Sequence, residues 1–374
     1  FPYLRETMKD KSLLDLNYTF VYKDAAAPTS LMKCVLPSNA IKISGGSSQH
    51  ITVKEFIKQA GQGAYDSKSV IVFLKIGNNL DKETIDAVEK IKNNVLGMFC
   101  DVNDNYEFLI EELSGGLEHS RKAALKFLEM MDGILYESSD LKGVIKKYNS
   151  SLVTLKVRHP HTNCINELNP HSGIEPKGDL GPLTQAIKIS DQFGLDGIFN
   201  FGYLGRPKQC TDFLRITRAV HDLNAQAKFI QSNPNVKTNM SLTSEIDLGF
   251  SLYDFDDWNR KLKPANKIMN YWSVGIPCMM SPYTSYKDVF KENDLDFSYY
   301  EIPSIDFSKH EGLSRREISL READSLCQKI ALILSDGQDF HERRTHLWKV
   351  SLRYNPMNIE FLYEGMFNHI RGNL

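Results

Sequence analysis

The 374-residue sequence lacks the features that mark membrane, disulfide-rich and nucleic-acid-binding proteins. No apolar run approaches the roughly 20 residues that a membrane-spanning helix needs. The six cysteines are scattered without paired spacing, which argues against a disulfide framework or a zinc knuckle. The 45 basic and 47 acidic residues give a net charge of −2, so no basic excess is present to hold phosphate backbones. We therefore expect no transmembrane segment and no nucleic-acid partner.

These absences leave an ordinary globular composition, with 41% hydrophobic and 25% charged residues. A chain of this length can form two domains, each with its own core. We expect a cytoplasmic protein. Because the sequence begins at Phe1 rather than at a methionine, an upstream signal or membrane anchor stays an alternative.

Strand and helix patterns alternate through the first half of the chain. Apolar runs predict strands at residues 18–22, 70–74, 95–100, 133–136 and 152–157, with a weaker strand at 32–36. Helical patterns occupy residues 53–61, 81–93, 105–130 and 138–148, and 45–48 is predicted to be a loop. Such alternation predicts a parallel sheet with helices on both faces.

A second α/β unit follows a segment rich in Gly, Pro and Asn. Strands are predicted at residues 197–201, 228–231, 246–251 and 276–280, and a long helix at 321–337. We assign 1–165 to a first domain, 166–195 to a linker and 196–355 to a second domain. The apolar spacing of 356–374 predicts a last helix that crosses back to the first domain.

Polar residues follow several strands of the first domain, where ligands of parallel sheets bind. Asp101 and Asp104 come after one strand, Glu137 after the next, and His159 and His161 after the last. A carboxylate there can take a proton from a hydroxyl group, and an imidazole can act as a general base. The alternatives are helix capping for the aspartates and a purely structural role for the histidines.

The segment 202–208 lies where the first strand of the second domain meets its helix. Gly202 and Gly205 would let the backbone approach a phosphate, and Arg206 and Lys208 would neutralise its charge. One Gly-x-x-Gly is weak evidence, so a tight turn with solvated cations is an equal alternative.

The clearest local pattern is a helix that begins near Pro264 and ends before Gly275. Proline suits a first helical turn, because its missing N–H has no partner there. Gly275 can end the helix in a left-handed cap, and Pro277 cannot continue it. Lys263, Lys267 and Tyr271 lie four residues apart, and Asn270 lies three after Lys267, which can place all four on one face. The two lysines indicate an anion site, and the alternative is a solvated helix that packs on a sheet.

This run resembles the nucleotide-sugar-binding segment of GT-B-fold glycosyltransferases, in which K-P-x-x-K is followed by an acidic or amide residue and then by G-x-P. Here the motif reads Lys263-Pro-Ala-Asn-Lys267, then Asn270, then Gly275-Ile-Pro277. The resemblance is strongest over residues 195–285 and only architectural before them. It implies two Rossmann-like domains facing each other across a cleft. It also implies that Lys267 meets the donor diphosphate and that Asn270 stands where an acidic residue often holds the ribose.

The activity implied by the resemblance is transfer of a sugar from a nucleoside-diphosphate sugar to a hydroxyl group, on a glycan or another acceptor. The nucleotide sugar is a co-substrate, and no further cofactor and no metal are expected. Positive charge at Arg206, Lys208 and Lys267 would stabilise the leaving diphosphate. A nucleotide-sugar epimerase of the same fold and a catalytically silent nucleotide-sugar-binding or scaffold protein are the alternatives.

A rival motif is Asp254-Phe-Asp256, which matches the Asp-x-Asp signature of GT-A glycosyltransferases. The GT-A fold is a single domain, the motif lies midway along its chain, and the motif holds a divalent cation. Here it comes late, in the second of two α/β halves and just before the lysine helix. We therefore interpret it as a loop.

Overall fold

A computed structural model of the chain describes most of its secondary structure. The described residues are 8–23, 30–74, 80–102, 118–160, 188–189, 195–196, 200–204, 212–223, 228–232, 246–251, 265–273, 275–335 and 337–374. Within these ranges, no helix has both the length and the apolar character needed to cross a membrane.

The first half forms a six-stranded parallel sheet in the order β2-β1-β3-β4-β5-β6. Its strands are β1 Asn17–Tyr22, β2 Ser47–Thr52, β3 Ser69–Leu74, β4 Gly97–Asp101, β5 Gly133–Tyr136 and β6 Thr154–Lys156. Its helices are α1 Lys11–Leu14, α2 Leu36–Ile43, α3 Val53–Gly61, α4 Lys82–Ile91, α5 Glu118–Glu129 and α6 Ser139–Tyr148. The predicted parallel sheet is confirmed.

Side-chain alternation along the central strand β3 shows why the sheet is covered on both sides. Val70, Val72 and Leu74 lie in one apolar cluster, whereas Ile71 and Phe73 lie in another. Successive side chains of a strand point to opposite faces, so a continuous apolar run buries both.

Capping side chains start three of these helices where the sequence predicts. Thr52, Asp81 and Ser138 each accept a hydrogen bond from the backbone N–H three residues later, at 3.2, 2.8 and 3.2 Å. Each bond satisfies a donor that the helix itself leaves unpaired, which fixes the helix start.

Two predictions near the N-terminus are wrong. Residues 32–36 are not a strand: Leu31–Val35 forms a π-helical turn that leads into α2. Residues 45–48 are not wholly a loop, because β2 begins at Ser47. The sequence of β2 is polar because the strand lies at the edge of the sheet and none of its residues is fully buried.

The second half contains a four-stranded parallel sheet in the order β10-β9-β11-β12. Its strands are β9 Asn200–Leu204, β10 Lys228–Ser232, β11 Leu248–Ser251 and β12 Cys278–Met280; a separate antiparallel pair joins β7 Lys188–Ile189 to β8 Leu195–Asp196. Its helices are α7 Asp212–Leu223, α8 Asn266–Trp272, α9 Thr284–Glu292, α10 Phe297–Tyr300, α11 Arg315–Arg321, α12 Ala323–Leu334, α13 Gly337–Ser351, α14 Ile359–Leu362 and α15 Glu364–Asn373. The long helix predicted at 321–337 is mainly α12, which Glu322 separates from α11.

One apolar cluster runs through both halves. It contains Phe20 and Val72 of the first sheet, Ile268 and Trp272 of α8, and Phe367 of α15. A shared core of this kind holds the two sheets in a defined relation, because burying apolar surface is the main force that stabilises such contacts.

The last helix, α15, packs on the first sheet. The ring of Phe367 makes an edge contact with Tyr18 at 6.0 Å between centroids, and His369 makes one with Phe99 at 5.9 Å. Gly365 lies against the backbone of Lys156 in β6. The chain therefore returns to its first half after completing the second.

Gly365→Ala is expected to destabilise the fold by about 1–3 kcal/mol, because an added Cβ would lie 2.7 Å from the backbone oxygen of Lys156. Gly372→Ala in the same helix is the matched control, since a Cβ there meets no atom within 4 Å. Urea unfolding of both variants measures the difference. Equal stability of the two would contradict the close approach of α15 to β6.

Candidate functional site

The candidate site lies where the first half meets helices α8 and α9 of the second. A pocket between them is lined by Glu137, Val157 and His159 on one side and by Ala265, Met269 and Asp288 on the other. Glu137 follows β5 and His159 follows β6. The pocket therefore lies at the carboxyl ends of these strands, where ligands of parallel sheets bind.

Helix α8 packs closely on the second sheet because Gly249 makes room for its Tyr271 side chain. Gly202 of β9 and Gly249 of β11 are register partners. An added Cβ at Gly249 would lie 2.5 Å from the ring of Tyr271, and the Tyr271 hydroxyl donates to the carbonyl of Gly202 at 3.1 Å. These contacts fix the position of α8 against the strands.

The structure corrects the predicted placement of Gly202 and Tyr271. Gly202 lies in the middle of β9 rather than in the loop after it, and a Cβ there would lie 2.0 Å from Ile246. Tyr271 is fully buried against the sheet and does not share an exposed polar face with the lysines. Spacing alone could not reveal this, because a residue's position around a helix does not say which neighbour covers it.

Lys267 lies in the first turn of α8 and is half-buried. Its ammonium lies 4.9 Å from the ring centroid of Tyr203, near the carboxyl end of β9. Burial raises the pKa of the Cys278 thiol in β12 well above its usual value, and the charge of Lys267 acts in the opposite direction. Asn270, one turn later, is also half-buried. Lys267 thus brings a positive charge to the second sheet near the carboxyl end of β9.

The predicted end of α8 is confirmed. Gly275 adopts φ +71°, a left-handed conformation that favours glycine, and its N–H donates to the carbonyl of Trp272 at 2.9 Å. The buried Arg344 of α13 donates from Nε to the Gly275 carbonyl at 2.8 Å. The C-terminal end of the Lys267 helix is therefore held by α13.

The sequence analysis did not identify Lys33 as a site residue, but the structure places it beside Asp101 and Glu137. Its Nζ lies 3.4 Å from Asp101 at the end of β4 and contacts Glu137 after β5. The side chains of Lys33, Asp101 and Glu137 are 0%, 2% and 5% exposed. Burial lowers the pKa of Lys33, although Asp101 acts in the opposite direction. No local pattern indicated this contact, because the apolar residues at 32–36 predicted a strand.

His159 is buried at the edge of the pocket. Its Nδ1 lies 2.8 Å from the carbonyl oxygen of Pro160, which makes Nδ1 the protonated nitrogen when the ring is neutral. Nε2 would then be the nitrogen able to accept a proton.

Charged groups tie the two halves together beside the pocket. Arg158 and Lys156 of the first half form ion pairs with Glu292 of α9. Nζ of Lys156 lies 3.3 Å from Oε2 of Glu292. Asp288, also in α9, accepts hydrogen bonds from the backbone N–H and the hydroxyl of Ser139 at 2.8 and 2.7 Å. These contacts set the distance between the first sheet and α9.

Several predicted site residues lie outside the described part of the chain. They are Asp104, His161, Gly205, Arg206, Lys208 and Lys263, as well as Asp254 and Asp256 of the rival motif. Among the residues that are described, no group of three or more His, Cys, Asp or Glu side chains is placed to hold a metal ion.

Comparison with known proteins gives a match in structure but not in sequence. No protein-family model and no curated protein matches the chain. A solved α-glucosyltransferase in complex with UDP and a 13-mer DNA matches with a TM-score of 0.54 and 10% identity, over 95% of this chain and 100% of its own. The chain has the GT-B fold.

Two further solved structures resemble the chain. An α-glucosyltransferase in complex with UDP-glucose and DNA has a TM-score of 0.53 and 10% identity, over 95% of this chain and 98% of its own. A glycosyltransferase from Rickettsia africae covers 92% of this chain and 98% of its own at 10% identity, but its TM-score of 0.48 is too low to bear on the fold. At these identities the likeness extends to architecture alone.

Proposed function

We propose that this chain is a glycosyltransferase that moves a sugar from a nucleoside-diphosphate sugar to an acceptor hydroxyl group without a metal ion. The observation that carries the proposal is the position of Lys267 in a GT-B fold. Its helix packs on the second sheet through Tyr271, and its ammonium lies by Tyr203 at the carboxyl end of β9. That edge is where an open parallel sheet binds nucleotides.

On the donor side, fixed positive charge would favour departure of the diphosphate. The carbon–oxygen bond to the diphosphate breaks in the reaction, and negative charge builds on the leaving group. Lys267, with Arg206, Lys208 and Lys263 of the flanking segments, would stabilise that charge in place of a cation. Asn270 would contact the ribose.

On the acceptor side, the first half would bind the hydroxyl group and receive its proton. Asp101, Asp104, His159 and His161 are the candidate groups, and His159 lines the pocket beside α8. The net charge of −2 favours a glycan as the acceptor over the backbone of a nucleic acid. Because the two matching α-glucosyltransferases were solved with DNA, DNA belongs in the acceptor test as well.

A thermal-shift panel of nucleoside diphosphates and their sugars, each with EDTA or with Mn²⁺, tests the donor site. A ligand at about 100 times its dissociation constant adds about 2.7 kcal/mol to stability, which gives a clear shift. A shift that persists in EDTA is expected for one nucleotide base. A shift that needs Mn²⁺ would instead support Asp254 and Asp256, and no shift at all would support a silent scaffold.

Product analysis with the nucleotide sugar that binds then tests the reaction. Transfer of the sugar to a glycan or DNA acceptor, with release of the nucleoside diphosphate, is expected. Conversion of the donor to its epimer would establish an epimerase. An unchanged donor after long incubation would establish a binding protein.

A further inference from the structure

The cluster of Lys33, Asp101 and Glu137 contains more acidic than basic groups. One ammonium faces two carboxylates, so full ionisation leaves one negative charge without a partner in the cluster. All three side chains are at most 5% exposed. Uncompensated charge is costly in such a place, because little water is present to solvate it. The cluster therefore holds one buried carboxylate whose charge its single lysine does not neutralise.

Glu137 differs from Asp101 in its access to the pocket. It lines the pocket between the first half and α8, whereas Asp101 does not. Within the described part of the chain, neither oxygen of Glu137 has a hydrogen-bond partner, and its ionic contact is to Lys33 through Oε1 alone. Among the described residues, no donor reaches the second oxygen, Oε2, which is buried, and Glu137 lines the cavity. Buried polar atoms of this kind are rare and call for a ligand or a function.

The backbone around Lys33 is built to bring its side chain beneath the strand ends. The π-helical turn Leu31–Val35 widens the helix locally, and such turns occur often at functional sites. The hydroxyl of Tyr363 donates to the Lys33 carbonyl at 3.3 Å, so the C-terminal part of the chain holds this turn in place. If this position served only to fill the core, an apolar side chain would be more favourable there, because burying a charged group costs free energy.

We propose that Glu137 is the base that accepts the proton of the acceptor hydroxyl, and that Lys33 and Asp101 are positioning residues that hold it. This assignment rests on the proposed glycosyltransferase function and adds Glu137 to the groups considered there. His159 lines the same pocket and would contact the acceptor rather than take the proton.

The acceptor O–H bond breaks and its proton goes to Glu137, while the oxygen forms a bond to the anomeric carbon. The bond between that carbon and the diphosphate oxygen breaks, and its electron pair leaves with the nucleoside diphosphate. After product release, Glu137 returns its proton to water that enters the pocket. The contact with Lys33 limits the rotation of the Glu137 carboxylate.

Glu137→Gln and Asp101→Asn test the assignment, because each removes one carboxylate with little change of shape. The assay measures release of nucleoside diphosphate from the nucleotide sugar that binds the wild-type protein, first with water alone and then with acceptor. Glu137→Gln is expected to lower kcat by at least about 100-fold and to leave donor affinity within about threefold, as loss of a general base does. Asp101→Asn is expected to lower kcat by about tenfold or less, since Lys33 still holds Glu137.

Glu83→Gln is the matched control, because Glu83 is an exposed carboxylate of α4 in the same half and does not line the pocket. Its turnover is expected to stay within about threefold of wild type. If Glu137→Gln aggregates, Glu137→Asp replaces it; retraction of the carboxylate by one methylene is expected to cost about 100-fold in kcat.

The outcomes separate this assignment from the proposed function. A wild-type protein that releases diphosphate, together with a Glu137→Gln variant of equal turnover, overturns the base alone. A larger loss in Asp101→Asn than in Glu137→Gln gives the base to Asp101 and also overturns it. A wild-type protein that binds no nucleotide sugar overturns the proposed function, and the assignment with it.

Discussion

Lys267→Ala is expected to weaken binding of the nucleoside-diphosphate sugar by about 10- to 100-fold. A hydrogen bond to a charged group contributes about 1.5–3 kcal/mol, and each 1.4 kcal/mol is about tenfold in affinity. The loss should appear in the dissociation constant of the nucleoside diphosphate alone, because the lysine is assigned to the diphosphate and not to the sugar. Isothermal titration with the diphosphate identified by the thermal-shift panel measures it.

The control for this variant is Lys291→Ala, which removes an exposed lysine of the neighbouring helix α9. Its affinity for the diphosphate should equal that of wild type. Removal of Lys267 also ends its contact with the Tyr203 ring, which costs stability by about 1 kcal/mol or less. Unchanged diphosphate affinity in a folded Lys267→Ala variant would place the diphosphate elsewhere.

Glu292→Gln is expected to lower the free energy of unfolding by about 3 kcal/mol. The side chains of Glu292 and Arg158 are only 15% and 11% exposed, and removing one charge from a mostly buried pair leaves the other poorly solvated. Lys156 loses a partner as well. Glu364→Gln is the control: it removes the other carboxylate bound to Arg158, but Glu364 is 54% exposed, so a loss of under about 1 kcal/mol is expected. Equal losses in the two variants would contradict the buried character of the interface.

The stability difference between wild type and Glu292→Gln is also expected to depend on pH. Burial acts to raise the pKa of Glu292, but hydrogen bonds and charge from Arg158 and Lys156 outweigh it, so the pKa lies below its usual 4.5. The folded protein then holds the carboxylate ionised where the unfolded chain would protonate it. This contribution is fully present above about pH 4.5 and is lost as the pH falls through the lowered value. Unfolding free energies of wild type and Glu292→Gln should therefore converge in acid, and a constant difference would count against the pair.

Sequence reasoning recovered most strands and helices because their signals are local. The apolar run at β3 buries both faces of one strand, and capping residues such as Thr52 and Asp81 fix helix starts within a few residues. It failed at residues 31–35, where a short apolar stretch fits a strand and a helix equally well. The structure has a π-helical turn there, and its Lys33 contacts Asp101 and Glu137, which are distant in sequence.

Within the candidate site, the sequence indicated the helix but not the way it packs. Gly275 predicted the end of α8, and the structure confirms it. The spacing of Lys267 and Tyr271 suggested a shared polar face, yet Tyr271 is buried against Gly249 of β11, and its hydroxyl donates to the carbonyl of Gly202 in β9. A helical pattern predicts which residues are neighbours on the helix surface. It does not predict which residues from other parts of the chain pack against them.

By itself, the sequence determined the α/β alternation, the parallel sheets, the capped helices and the position of Lys267 near the start of its helix. These follow from interactions between residues a few positions apart, which the order of residues contains directly. Only the tertiary structure decided which carboxylates meet Lys33, which glycines receive Tyr271 and how Arg158 reaches Glu292. Those contacts join residues that are far apart in the sequence, 134 positions for Arg158 and Glu292, and they form only when burial of apolar surface brings separate strands and helices together.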